Sequence, residues 1–202
     1  MNGNKPIVLL YHQISPKNTK FIENYNINVK PKLFDEHMKI IRDNFNPITF
    51  SEWVDAIRNG ENISNRILVS FDDGYCDAVN YGGEILNKYD LDGLWFINGG
   101  LVNNNKVFWL SQLMYLYDND YLDSFLKEFN TEFLGLLNHI NLSESTPMDI
   151  DIWAKQNYSK TLSNSLNDYI SNLDWNEEEQ ANKNSIYANL SEIKKLSDNF
   201  VV

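Results

Sequence analysis

In the first half of the chain, short apolar runs alternate with amphipathic stretches, the pattern of strand-helix units around a parallel sheet. Ile7-Val8-Leu9-Leu10-Tyr11 is apolar throughout and too short for a helix, which predicts a buried first strand. After a loop rich in Asn and Lys, Pro31 suits a helix start. Leu33, Phe34, His37, Met38, Ile41 and Phe45 then share one helical face, with the helix ending near Asn44. Pro47-Ile48-Thr49-Phe50 predicts a short strand. Ser51 is the expected N-cap of the next helix, which carries Trp53, Val54 and Ile57 and closes at Gly60. The strongest strand signal, Ile67-Leu68-Val69-Ser70-Phe71, runs straight into Asp72, Asp73 and Gly74. Ala78 to Tyr89 predicts a helix in spite of Gly82-Gly83, each of which costs about 1 kcal/mol relative to alanine. Gly93 to Ile97 predicts a fourth strand, with Asn98-Gly99-Gly100 as a loop at its far end.

From Phe108 onward the period changes. Residues 110 to 199 carry helical spacing and no strand signal, through Leu110, Leu113, Met114 and Leu116 and then Tyr121, Leu122, Phe125, Leu126, Phe129, Phe133 and Leu136. Pro147 separates these from a further set with Trp153, Leu162, Leu166, Tyr169 and Ile170. Ser191 to Leu196 opens a last amphipathic helix, and Phe200-Val201-Val202 resembles the opening of a strand. The expected organisation is one partial domain over 1-202. It comprises a strand-helix half over 1-109, a helical insertion over 110-190, and the start of another helix-strand unit at 191-202.

Composition narrows the partners. A formal charge of -11 and a pI near 4.6 would repel a phosphate backbone, and no Lys/Arg cluster overrides that average, so nucleic acid is not an expected partner. A neutral or cationic ligand, or a divalent metal, fits better. Cys76 is the single cysteine, which excludes an intramolecular disulfide. The apolar run Ile7 to Leu10 is too short for a signal segment or a membrane span. As written, the chain is expected in the cytoplasm, with the cell envelope as the alternative for a processed precursor.

The candidate chemistry lies at the end of the strongest strand. Parallel α/β folds place their active sites on the loops at the C-terminal ends of strands. Because neighbours on an extended chain point to opposite sides, Asp72 and Asp73 can divide the work, one as metal ligand and one as general base. The structural alternative is that they start the next helix as N-cap and first-turn residues.

Ser70-Phe71-Asp72-Asp73-Gly74-Tyr75 resembles the first signature of the polysaccharide deacetylases (NodB-homology proteins, carbohydrate esterase family 4), written (T/S)-F-D-D-G-(Y/W). Leu9-Leu10-Tyr11-His12-Gln13-Ile14 is similar to the L-x-Y-H-x-(I/V) segment of the permuted-barrel subgroup that includes poly-N-acetylglucosamine deacetylases. Gly93-Leu94-Trp95-Phe96-Ile97 is similar to the family's next strand. The resemblance covers roughly residues 6 to 110 and returns faintly at 190 to 202.

It implies an α/β fold, an incomplete distorted (β/α) barrel with a mainly helical C-terminal half. It also implies a metal-dependent hydrolase that removes N-acetyl groups from a glycan. By position, Asp72 would be the general base and Asp73 a ligand of a divalent metal, zinc or else nickel, cobalt or iron. His12 would be the general acid that protonates the leaving amine. The family's second signature, H-(S/T)-x-x-H, supplies two metal histidines, and this chain has only His12, His37 and His139. The segment Leu190 to Val202 aligns with the stretch that precedes that signature, so the chain looks truncated before it. Metal binding is then expected to be weak or absent, with little independent hydrolysis.

The other candidates read as structural. His37 falls on an apolar helix face as a partly buried, satisfied histidine, and His139 has no acidic partner at ligand spacing. Cys76 sits at a helix start, but Asp72, Asp73 and Asp77 should raise its pKa and disfavour a nucleophilic role. Trp95, Trp109, Trp153 and Trp175 could stack on sugar rings, yet their neighbours favour core packing, with Trp109 the best placed for a ligand. The competing function is a silent carbohydrate- or partner-binding remnant of the same fold. A more distant one is a magnesium site for phosphoryl transfer. An open sheet edge in a half barrel predicts a marginally stable or self-associating chain.

Overall fold

The computed structural model describes residues 5-17, 25-133 and 140-202, which fold as two compact units. The first unit takes the described residues of 1-18, 27-104 and 185-202; the second takes those of 19-26 and 105-184. In chain order the first unit holds strands β1 (Ile7–Tyr11), β2 (Gln13–Ile14) and β3 (Asn28–Val29) and helix α1 (Pro31–Asn44). These are followed by β4 (Asn46–Pro47), α2 (Phe50–Asn59), β5 (Arg66–Phe71), a π-helical turn (Ala78–Gly82), α3 (Gly83–Lys88) and β6 (Leu94–Trp95). The second unit contributes α4 (Trp109–Asp118), α5 (Leu122–Phe133), α6 (Pro147–Gln156), α7 (Lys160–Ser171) and α8 (Glu177–Asn184). The chain then returns to the first unit for α9 (Leu190–Ser197).

Strands and helices alternate in the first unit as the apolar pattern predicts, and every strand pairing is parallel. β5 is the hub: β1 lies along one side, while β4 pairs with its start and β6 with its end on the other. β2 and β3 form a separate two-stranded sheet. The hub is buried on both faces. Phe71 stacks on Trp95 at 3.8 Å and meets the Phe34 ring of α1 edge-on at 5.8 Å. On the opposite face, Leu68 joins Ile48 and Leu94 beneath Phe50, Trp53 and Ile63.

Burial overturns the expectation for the first strand. Val8 and Leu10 are each 51% exposed and Ile7 is 44% exposed, while their β5 partners Leu68, Ser70 and Ile67 are buried. An all-apolar pentapeptide looks the same at a sheet edge as at its centre, and among the described residues β1 pairs with β5 alone.

Helix α1 starts at Pro31 and ends at Asn44 as predicted; it buries Phe34, Met38 and Ile41 but leaves Leu33 and Phe45 exposed. The second predicted strand shrinks to Asn46–Pro47, because α2 begins earlier than expected. Its N-cap is Thr49, not Ser51: the Thr49 hydroxyl accepts from the Glu52 N–H, and the Glu52 carboxylate accepts from the Thr49 N–H in return. The helix predicted over Ala78 to Tyr89 is present but opens with the π turn. A Cβ on Gly82 would lie 3.2 Å from both the Phe71 and Trp95 rings, so close approach of the sheet offsets the glycine's poor helix propensity.

Among the described residues, the regular elements of the second unit are all helices. Leu113, Met114, Leu116, Phe125, Phe129, Leu162 and Leu166 form its interior. Pro147 stands at the first position of α6 behind a Thr146–Asp149 capping box. Trp153 and Trp175 are buried, the latter stacked on Tyr115 at 4.7 Å, so their packing role holds; Trp109, half-buried, lies against Tyr158 at 4.9 Å. Among the described residues, no helix is long and apolar enough to cross a membrane.

Candidate active site

The acidic pair sits where β5 stops. Five successive buried residues carry β5 through the sheet, and the Asp72 N–H extends the ladder by one step, donating to the Tyr11 carbonyl at 3.0 Å. Since Tyr11 is in register with Phe71, the residues that follow them, His12 and Asp72, leave adjacent strand ends on the same rim. His12, Asp72 and Asp73 are all half-buried.

The chain then turns sharply. Asp73 (φ 71°) and Gly74 (φ 74°) are both left-handed, and the Gly74 N–H donates back to the Asp72 carbonyl at 3.0 Å. Aspartate tolerates this region better than most residues, and glycine enters it freely. Gly74 is required for space as well, since a Cβ there would lie 3.1 Å from Ile97 Cδ1.

A strap clamps the turn that the sequence did not reveal. The Cys76 N–H donates to the Ile186 carbonyl at 3.0 Å, the Ala188 N–H donates to the Gly74 carbonyl at 2.9 Å, and the Tyr75 and Tyr187 rings stack at 5.6 Å. Buried Asn104 holds the strap in turn. Its amide donates to the Tyr187 carbonyl at 2.6 Å and its carbonyl accepts from the Tyr187 N–H at 2.7 Å. Asn104→Ala would strand both backbone groups, so a loss of about 2 kcal/mol in unfolding free energy is expected. Chemical denaturation of the two proteins measures it.

The remaining polar groups near the turn are committed elsewhere. Asp77 accepts from the buried Ser15 hydroxyl at 2.5 Å, which ties the helix start to β2. Tyr11 and His37 share a hydrogen bond of 3.1 Å, so His37 is the satisfied, half-buried histidine that its helix face predicts. His139 lies outside the described residues.

Cys76 is disfavoured as a nucleophile as expected, but of the three aspartates expected to raise its pKa only Asp77 contributes, behind burial and Glu192. Burial first, then the Glu192 carboxylate, which accepts its thiol proton at 3.4 Å, and then Asp77 push the thiol up to about 12. The Glu192 carboxyl also accepts from the Asn80 amide at 3.0 Å, and such bonds outweigh its burial and hold it below its ordinary value. At pH 8 the thiolate fraction is then on the order of 10³ below that of a free cysteine. Labelling by a disulfide reagent should be correspondingly slow and accelerate about tenfold per pH unit between pH 8 and 10; labelling at the rate of a free thiol would contradict it.

Among the described residues, no three His, Cys, Asp or Glu side chains come together as a metal site. A catalytic zinc takes three protein ligands and keeps one open position. The described residues therefore do not by themselves fit a complete zinc centre.

No family model matches the chain. A curated protein of Bacillus subtilis (strain 168), named "Putative polysaccharide deacetylase YxkH", is 31% identical over 94 residues, which are 46% of this chain and 31% of that protein. Among solved structures, the Streptococcus pyogenes deacetylase PplD in complex with acetate is 29% identical over 47% of this chain and 43% of its own, with a TM-score of 0.41. BC0361, a polysaccharide deacetylase from Bacillus cereus, is 26% identical over 58% of this chain and 37% of its own, with a TM-score of 0.41. The chain thus spans less than half the length of these relatives. Over about half of its own length, it resembles the polysaccharide deacetylases.

Proposed function

We propose that the rim formed by His12, Asp72 and Asp73 belongs to a hydrolase that removes N-acetyl groups from a polysaccharide. The incomplete distorted (β/α) barrel expected from the sequence is part of that reading. The observation that carries it is the register: a histidine and an aspartate follow directly from adjacent parallel strands, one step beyond the pair Tyr11 and Phe71. Amide hydrolysis needs both a base to activate water and an acid to release a poor leaving group. Asp72 takes a proton from water as its oxygen bonds to the acetyl carbon. The C–N bond of the tetrahedral intermediate then breaks as His12, in its imidazolium form, gives a proton to the nitrogen. The products are acetate and a free amine on the sugar.

Asp73 is assigned as one carboxylate ligand of a divalent metal, zinc or else nickel, cobalt or iron, with no further ligand assigned among the described residues. A second reading has the chain bind a glycan or a partner without hydrolysing it. It is favoured by the described residues, among which no three His, Cys, Asp or Glu side chains gather to hold a metal beside Asp73. Acetate release from N-acetylglucosamine oligomers, compared between the native chain and Asp72→Asn, tests the first reading. Oligomer binding without release from either protein would select the second.

A further inference from the structure

Independently of the chemistry at the rim, we propose that Asn98 is a site of spontaneous deamidation in the folded protein, closing a succinimide with Gly99 and opening to aspartate and isoaspartate. Glycine is the neighbour that crowds such a ring least, because no side chain flanks its nitrogen. The chain has three Asn-Gly pairs: Asn2-Gly3, which lies outside the described residues, Asn59-Gly60 and Asn98-Gly99. The fold treats the last two differently. At Asn98 the Gly100 N–H donates to the side-chain Oδ1 at 3.2 Å, inside a β-turn closed by the Leu101 N–H on the Asn98 carbonyl at 2.9 Å. That donor polarises the side-chain carbonyl and meets the oxyanion that forms when the Gly99 nitrogen attacks Cγ. Among the described residues, no hydrogen bond holds the Gly99 N–H or the Asn98 side-chain nitrogen.

Asn59 presents the same dipeptide with both reacting groups occupied. Gly60 caps α2, its N–H donating to the Ile57 carbonyl at 3.2 Å, and the Asn59 side-chain nitrogen donates to Glu61 Oε1 at 3.2 Å. Both bonds must open before the ring can close, which should slow Asn59 at least about tenfold relative to Asn98. The reaction balances with water alone. The Gly99 nitrogen gives its proton to solvent base and bonds to Cγ; the bond from Cγ to the side-chain nitrogen breaks, and ammonia leaves with a proton from solvent. Water then adds to one ring carbonyl. Opening at Cγ leaves aspartate, and opening at the main-chain carbon leaves isoaspartate, with one extra carbon in the backbone. Either product adds a negative charge to a chain already at -11. The extra carbon enters next to Ile97, whose Cδ1 lies 3.1 Å from the Cβ position at Gly74, so the modification acts on the segment that bears on the acidic turn.

Peptide mass spectrometry on the full chain, held in mildly alkaline buffer either folded or unfolded in guanidinium chloride, follows each Asn-Gly pair as its own peptide. In the folded chain the Asn98 peptide should convert at least as fast as in the unfolded one, with isoaspartate among its products. The Asn59 peptide should convert at least about tenfold more slowly than Asn98 in the folded chain and come within a few-fold of it on unfolding. Gly99→Ala, which meets open space and needs no left-handed φ, should fold normally and slow conversion at Asn98 several-fold. Conversion at Asn98 that is slower in the folded than in the unfolded chain would overturn the proposal. So would an Asn59 that matches it in the folded chain, or aspartate formed without isoaspartate, which would mean direct hydrolysis without the ring.

Discussion

Gly74→Ala is expected to destabilise the protein by about 3 kcal/mol and to disorder the acidic rim with it. Two costs add at that position. An L side chain held at a φ of 74° loses roughly 1–2 kcal/mol, and the new methyl must force Ile97 aside from 3.1 Å, an overpacking cost of roughly 1–3 kcal/mol. Gly60 separates them, since it is also left-handed (φ 69°) but has nothing within 4 Å of the Cβ position, so Gly60→Ala should lose only about 1 kcal/mol. At roughly 2–4 °C per kcal/mol for a chain of this size, the melting temperature should fall by about 10 °C for Gly74→Ala and by about 3 °C for Gly60→Ala. Equal shifts would show that Ile97 does not press on the turn.

That turn illustrates what the sequence carries. A buried five-residue run ending in two aspartates and a glycine is a local signal, and it located β5, its end and the rim together. The adjacency of His12 and Asp72 is a matter of register between strands 60 residues apart, which a resemblance implied but periodicity alone could not supply. The strap was illegible for the same reason: Tyr187 and Asn104 are 83 residues apart, and nothing in Ile186-Tyr187-Ala188 announces a partner. Glu192 is 116 residues from Cys76, so sequence reasoning assigned the thiol's pKa to neighbouring aspartates.

The errors at β1 and α2 differ in kind. Hydrophobicity reports that a segment wants burial, not which neighbours provide it, and so Val8 and Leu10 were expected to be buried, yet each is 51% exposed. The start of α2, by contrast, was legible: Thr49-x-x-Glu52 is a capping-box pattern, and the apolar stretch ending at Phe50 masked it.

The second large effect is chemical. Asp72→Asn keeps the size and shape of the side chain but cannot accept a proton from water. If Asp72 is the general base proposed above, a contribution of roughly 10²–10⁴ is lost and acetate release should fall by about 10³. Because the Asp72 N–H bond to Tyr11 belongs to the backbone, the variant should fold and melt like the native chain, which separates lost chemistry from lost structure.

The decisive measurement is acetate released from N-acetylglucosamine oligomers, followed by proton NMR with zinc or cobalt in excess, for the native chain and for Asp72→Asn at matched concentration. Slow release by the native chain that falls about 10³ in the variant is the result expected if Asp72 is the base at this rim. Release at the same rate from both proteins would contradict it.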